Sequence, residues 1–209
     1  MPAMSAEPIA IRRTPCDAWR PRAVWRSLKI GVGMLLVAAG GIGGYWGILQ
    51  YEGNVHTVVS GQLYRAAQPD RADLVSDRQA YGIKSVLNLR GAHHGEPWYD
   101  NEVAAAGELG MAHYDYPLSA KRVVTEQQIA ELLALVRAAP KPLLIHCKSG
   151  ADRTGLLSAL YRYAESGATA EEADGELTLI YGHFPYLTNR TAAMDESFWA
   201  YVRDHNVKR

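Results

Sequence analysis

Between Ile30 and Leu49 the chain reads IGVGMLLVAAGGIGGYWGIL, 20 residues without a charge. As a helix rising about 1.5 Å per residue, this run reaches roughly 30 Å, the thickness of a bilayer core. A helix at the core of a soluble domain keeps a polar side, and this run has none. A cleaved signal sequence carries an apolar stretch of about 7–15 residues before a small-residue cleavage site. This run is longer, and it ends in Tyr45, Trp46 and Tyr51, which suit a membrane–water interface. The sequence therefore predicts one transmembrane helix over residues 29–50, after a basic, irregular tail at 1–28.

The flanks predict its orientation. Arg12, Arg13, Arg20, Arg22, Arg26 and Lys29 precede the run, whereas Glu52 and then only Arg65 follow it. Basic residues stay on the cytoplasmic side, so the tail is expected there and the remainder outside, in a periplasm if the cell has one. Gly40/Gly44 and Gly43/Gly47 have the spacing of close helix pairs, which allows a weak homodimer, although a glycine-rich run produces that spacing by chance as well. Lys+Arg and Asp+Glu each number 22, so charge gives no ground for a nucleic-acid partner. The two cysteines, Cys16 and Cys147, fall on opposite sides of the apolar run, which argues against a disulfide between them.

Residues 55–209 read as one α/β domain. HTVVSGQLYRAAQP reads as two short strands about Ser60-Gly61. Asp70 caps a helix running to Tyr81, with Gly82 as its stop. IKSVLNL is an apolar strand, 98–109 a helix closed by Gly110, and MAHYDYPL a further strand. Thr125 caps a helix whose Ile129, Leu132, Leu133 and Val136 share one face. LLIH is a short, wholly apolar strand, as expected at the centre of a sheet. A helix from Thr154 and two or three more complete the chain. Strands alternating with helices predict a central, mainly parallel sheet flanked by helices.

HCKSGADRTG, residues 146–155, joins that central strand to a helix N-terminus, where ligands of open α/β sheets bind. Backbone N–H groups of the loop can turn inward as an anion cradle, and the helix adds its positive end. The same surroundings favour a thiolate at Cys147. Arg153 supplies a planar fork matched to two phosphate oxygens. Gly150 and Gly155 permit the tight backbone, and Thr154 can hydrogen-bond the thiolate. A buried structural cysteine would leave Arg153 at this spacing unexplained.

The loop resembles the His-Cys-x5-Arg-Thr/Ser signature of the cysteine-based protein tyrosine and dual-specificity phosphatases. The order of elements from about 55 to 205, with LYRAAQP followed by GIKSVLNLR, is similar to the small bacterial and plant-fungal dual-specificity-like subgroup. The resemblance implies the protein tyrosine phosphatase-like fold and a phosphocysteine formed on Cys147. It implies that Arg153 and the loop groups of Lys148, Ser149, Gly150, Ala151 and Asp152 stabilise the phosphoryl oxygens. No cofactor or metal is expected. The substrate would be a phosphorylated protein or, alternatively, a lipid or sugar phosphate. A rhodanese-type sulfurtransferase or a phosphate-binding scaffold fits the loop less well.

The general acid is less legible. The position that usually carries it falls near Ser119 or Ala120, neither of which serves. Asp152 stands directly before Arg153, as in some lipid-directed and secreted bacterial phosphatases, and is the expected acid. Asp115, in the strand before, is the alternative.

Overall fold

Three of the strands are buried along their whole length, and their residues alternate between two apolar faces. The computed structural model describes residues 21–186 and 190–206. Among these, five strands form one sheet in the order β1-β2-β5-β3-β4, with β1 (His56–Val59), β2 (Leu63–Ala66), β3 (Ser85–Asn88), β4 (Ala112–Asp115) and β5 (Leu143–His146). β1 and β2 are an antiparallel pair. β2, β5, β3 and β4 run parallel, as the sequence predicts. Leu63, Leu87, Leu143 and Ile145 point into one core cluster, and Tyr64, Ala66, Val86 and Leu144 into another. Both faces are therefore covered, which explains why these strands carry no polar alternation.

Helices α2 (Arg71–Tyr81) and α3 (Pro97–Glu108) close the second cluster through Leu74, Ala105 and Ala106. Helices α4 (Glu126–Ala138), α5 (Asp152–Glu165) and α7 (Ala192–Asn206) close the first, with the short α6 (Ala170–Asp174) and a 3₁₀ turn at Leu179–Tyr181 between α5 and α7. Asp70 and Thr125 cap α2 and α4 through reciprocal capping boxes, and Gly82 ends α2 in the left-handed region at φ 69°. β3 and β4 are shorter than their apolar runs, because each is paired over only four residues.

The apolar run lies in α1, which spans Pro21–Tyr51 and so starts eight residues before the expected boundary at 29. Pro21 accounts for this: its fixed φ and missing N–H suit the first position of a helix, and the residues after it are good helix formers. Trp25–Tyr51 is long and apolar enough to cross a membrane, a property that signal sequences share. The described residues divide into two compact units, one ending at Gly44 and the other starting at Tyr45. The last two turns of α1 thus belong with the sheet domain. Residues 1–20 of the expected tail, Cys16 included, lie outside the described residues.

Candidate active site

Cys147 follows the last residue of β5, the middle strand, and is buried. The carbonyls of the next four residues, Lys148 to Ala151, are each held by a donor outside the loop. The Lys148 carbonyl accepts from the Gln68 N–H at 3.3 Å. That of Ser149 accepts from Asn54 Nδ2 at 2.9 Å and Gln50 Nε2 at 3.1 Å. Those of Gly150 and Ala151 accept from Arg65 Nη2 at 2.8 and 3.4 Å. With these four carbonyls engaged, the loop N–H groups remain as donors. Among the described residues, none from Lys148 to Arg153 donates to a protein acceptor. Unpaired donors at the head of a helix are the arrangement that can cradle an anion.

Gly150 makes the turn possible. Its φ is +71°, and a Cβ there would lie 2.7 Å from the carbonyl carbon of Ala66. Arg65 holds the outer side. It is fully buried, pairs with Glu176 Oε2 at 2.6 Å and stacks over the Tyr181 ring at 3.9 Å. Glu176 also meets Arg162 at 3.2 Å. A buried pair of this kind costs desolvation and contributes little net stability, but losing one partner strands the other. Its role here is geometric, since the same guanidinium fixes two loop carbonyls.

Arg153 points its Nη1 at the carbonyls of Leu89 and Leu118, at 3.5 and 3.4 Å, which are long contacts. Its Nε is buried without a partner, as is the Thr154 hydroxyl. Buried polar groups are normally satisfied, so Arg153 Nε and the Thr154 hydroxyl are donors left available next to the loop. Lys148 is exposed and Ser149 half-buried on the loop. Arg90 reaches the same region. It stacks on Trp98 at 3.3 Å and donates to Gln68 Oε1 at 2.7 Å, and burial, then the charge of Arg153, lower its pKa. His93 and His94 pack against Trp98 and Tyr99.

Behind Cys147 lies a polar cluster whose members carry no local sequence signal. Glu102 Oε1 accepts from His146 Nε2 at 2.9 Å and His113 Nε2 at 2.8 Å, and Oε2 accepts from Gln68. Burial alone would raise the Glu102 carboxyl, but hydrogen bonds from the two histidines and Gln68 outweigh it and bring it down to about 2. His146 Nδ1 meets the Cys147 carbonyl at 3.3 Å, so Glu102 fixes the imidazole next to the nucleophile candidate.

The two acid candidates have different surroundings. Asp115 accepts from Asn88 Nδ2 at 2.8 Å through one oxygen and from the Tyr99 hydroxyl at 2.6 Å through the other. Both oxygens are therefore occupied by the scaffold. Asp152 Oδ1 accepts from His183 Nδ1 at 2.7 Å, while its Oδ2 has no partner among the described residues. The other nitrogen of His183 meets Asp195 Oδ2 at 3.0 Å. Burial disfavours a charged His183, but Asp152 and Asp195 outweigh burial and raise its pKa to about 9. His183 and Asp195 lie 31 and 43 residues after Asp152, with no local pattern to mark them in the sequence.

This chain makes stability depend on pH. His183 is raised above its ordinary value of 6.5, so its contribution is complete below about pH 6.5 and is lost as pH rises through about 9. We expect the melting temperature to fall across that window, by a stability loss on the order of 3 kcal/mol. His183→Gln should remove the alkaline fall in thermal melts. An unchanged slope in that variant would contradict the assignment.

A family model described as "DSP-PTPase phosphatase fused to NAD+ Kinase" matches residues 51–200. The chain belongs to this family. Its members are cysteine-dependent phosphatases of the dual-specificity type. The dual specificity protein phosphatase TpbA of Pseudomonas aeruginosa strain UCBPP-PA14 is 31% identical over 121 residues, 57% of this chain and 51% of TpbA. The chain thus spans about half the length of the curated relatives it matches. A crystal structure of P. aeruginosa TpbA, a cysteine-to-serine variant in complex with phosphotyrosine, superposes with a TM-score of 0.52 at 25% identity, over 71% of this chain and 90% of that one. The core catalytic domain of the PP-IP phosphatase Siw14 from S. cerevisiae shares the fold, with a TM-score of 0.55 at 20% identity over 73% and 93%. The phosphatase-like α/β fold expected from the sequence is the fold observed.

Proposed function

We propose that this family member is a membrane-anchored phosphomonoester hydrolase. Cys147 attacks phosphorus, and the bond to the leaving oxygen breaks as a phosphocysteine forms. Arg153 and the N–H groups of Lys148, Ser149, Gly150, Ala151 and Asp152 bind the three phosphoryl oxygens, and Thr154 donates its hydroxyl to the sulfur as it leaves. Water then releases phosphate and restores the thiolate. The observation that carries the reading is the loop itself: engaged carbonyls, unpaired N–H donors, and two orphaned buried groups around one cysteine. The similarity to TpbA supports it and favours phosphotyrosine in proteins, with lipid or sugar phosphates as the alternative class.

In this reading Asp152 delivers the proton to the leaving oxygen. Its free Oδ2 is the available carboxylate oxygen beside the clamp, and His183 behind it stores a proton at neutral pH. α1 anchors the domain, with residues 1–28 in the cytoplasm and residues 55–209 outside, because the basic residues lie before the helix. The domain works as a monomer or as a weak pair through the glycine-rich helix, without cofactor, metal or nucleic acid.

Leaving-group dependence tests the acid. Asp152→Asn should slow an alkyl phosphate, whose leaving alkoxide is basic, at least tenfold more than a nitrophenyl phosphate. Equal slowing of both substrates, with the selective loss appearing in Asp115→Asn instead, would transfer the role to Asp115.

A further inference from the structure

Outside α1, large exposed apolar side chains are scattered singly among the described residues, with one exception. Leu179, Ile180 and Tyr186 are 46%, 61% and 61% exposed and lie within eight residues of one another. Isolated exposed apolar residues need no explanation, but a contiguous patch marks a surface that is covered in use. From Leu179 to Tyr186 the only group that titrates near neutrality is His183, which is buried.

This patch continues onto the end of α1. The Tyr45 hydroxyl donates to the Ile180 carbonyl at 2.6 Å. Trp46 meets Phe184 edge-on at 5.9 Å, and Phe184 meets Tyr186 at 5.2 Å. Ile48 and Tyr51 on the last turns are 55% and 93% exposed. Tyr and Trp at the end of an apolar helix settle at headgroup depth. Residues clamped to Tyr45 and Trp46 are carried to the same depth.

We infer that Leu179–Tyr186 is a docking surface for the lipid bilayer that holds α1. The inference rests on the proposed reading of α1 as a membrane span. Apolar and aromatic side chains presented on a polar domain beside such a helix enter the headgroup–acyl boundary, as amphipathic surface elements do. The segment also supports the catalytic loop. Asn54 Nδ2 donates to the Tyr181 carbonyl at 3.0 Å and to the Ser149 carbonyl at 2.9 Å, and Tyr181 lies under Arg65. Docking therefore sets the catalytic loop at the membrane surface instead of leaving it on a loose tether.

The test uses the full chain, with Cys16→Ser and Cys147→Ser, reconstituted in phosphatidylcholine vesicles. A polarity-sensitive fluorophore is attached in turn to Ile180→Cys, Tyr186→Cys, Val103→Cys and Leu36→Cys, all at exposed positions. Lipids carrying a quencher at the headgroup end of the acyl chain should quench positions 180 and 186 at least threefold more than position 103. Lipids quenched near the bilayer centre should quench position 36. Quenching at 36 with 180 and 186 no more quenched than 103 would overturn the docking alone. No quenching at 36 would overturn the span and the docking together.

Discussion

Cys147→Ser is expected to abolish turnover while leaving phosphate binding intact. A serine hydroxyl at neutral pH is a far poorer nucleophile than a thiolate, and the neighbouring His146 imidazole is already engaged by Glu102 and the Cys147 carbonyl. The loop donors and the Arg153 fork are untouched by the change. Inorganic phosphate should thus bind as tightly by calorimetry, with turnover of a nitrophenyl phosphate down by 1,000-fold or more. Arg153→Lys should separate the two functions in the opposite sense. An ammonium cannot reproduce a two-pronged contact, so phosphate binding and turnover should fall together, turnover by about 100-fold or more. Residual turnover by Cys147→Ser near the native rate would end the phosphocysteine mechanism.

The elements that sequence patterning placed were those whose signals are local. Asp70 and Thr125 announce helix starts because a cap acts within three residues, and LLIH reads as a central strand because both its faces are covered. HCKSGADRTG is legible for the same reason: the nucleophile candidate, the cradle and the clamp come from one loop, so their spacing survives in the linear chain. What the sequence concealed is what tertiary structure assembles. Arg65 finds Glu176 and the Gly150 carbonyl 111 and 85 residues away, and Glu102 finds His146 across 44. A charged residue in the apolar strand LYRA does signal a buried partner, but nothing local names it. α1 starts at Pro21, before the expected span at 29–50, because charge limits a membrane span without limiting a helix.

Gly150→Ala is expected to cripple the site with little cost to the fold. At φ +71° a side chain is strained by about 1–2 kcal/mol, which alone would be tolerable. The larger effect is contact. The new Cβ would lie 2.7 Å from the Ala66 carbonyl carbon and 2.8 Å from both the Ala66 oxygen and the Ala67 nitrogen. Ala66 ends β2, which is paired with β1 on one side and β5 on the other, so that backbone cannot yield. The loop must move instead, away from the Arg65 bracket that holds the Gly150 carbonyl. The loop N–H groups then lose their common focus, and displacing such donors removes transition-state stabilisation of about 3–4 kcal/mol, or 100-fold or more in rate. Gly82→Ala is the matched control: its φ is +69°, but nothing lies within 4 Å of the added carbon. It should lose comparable stability and keep full activity. A Gly150→Ala enzyme that melts like Gly82→Ala and turns over at the native rate would show that the loop tolerates a side chain, and that the engaged carbonyls are not what holds the anion site together.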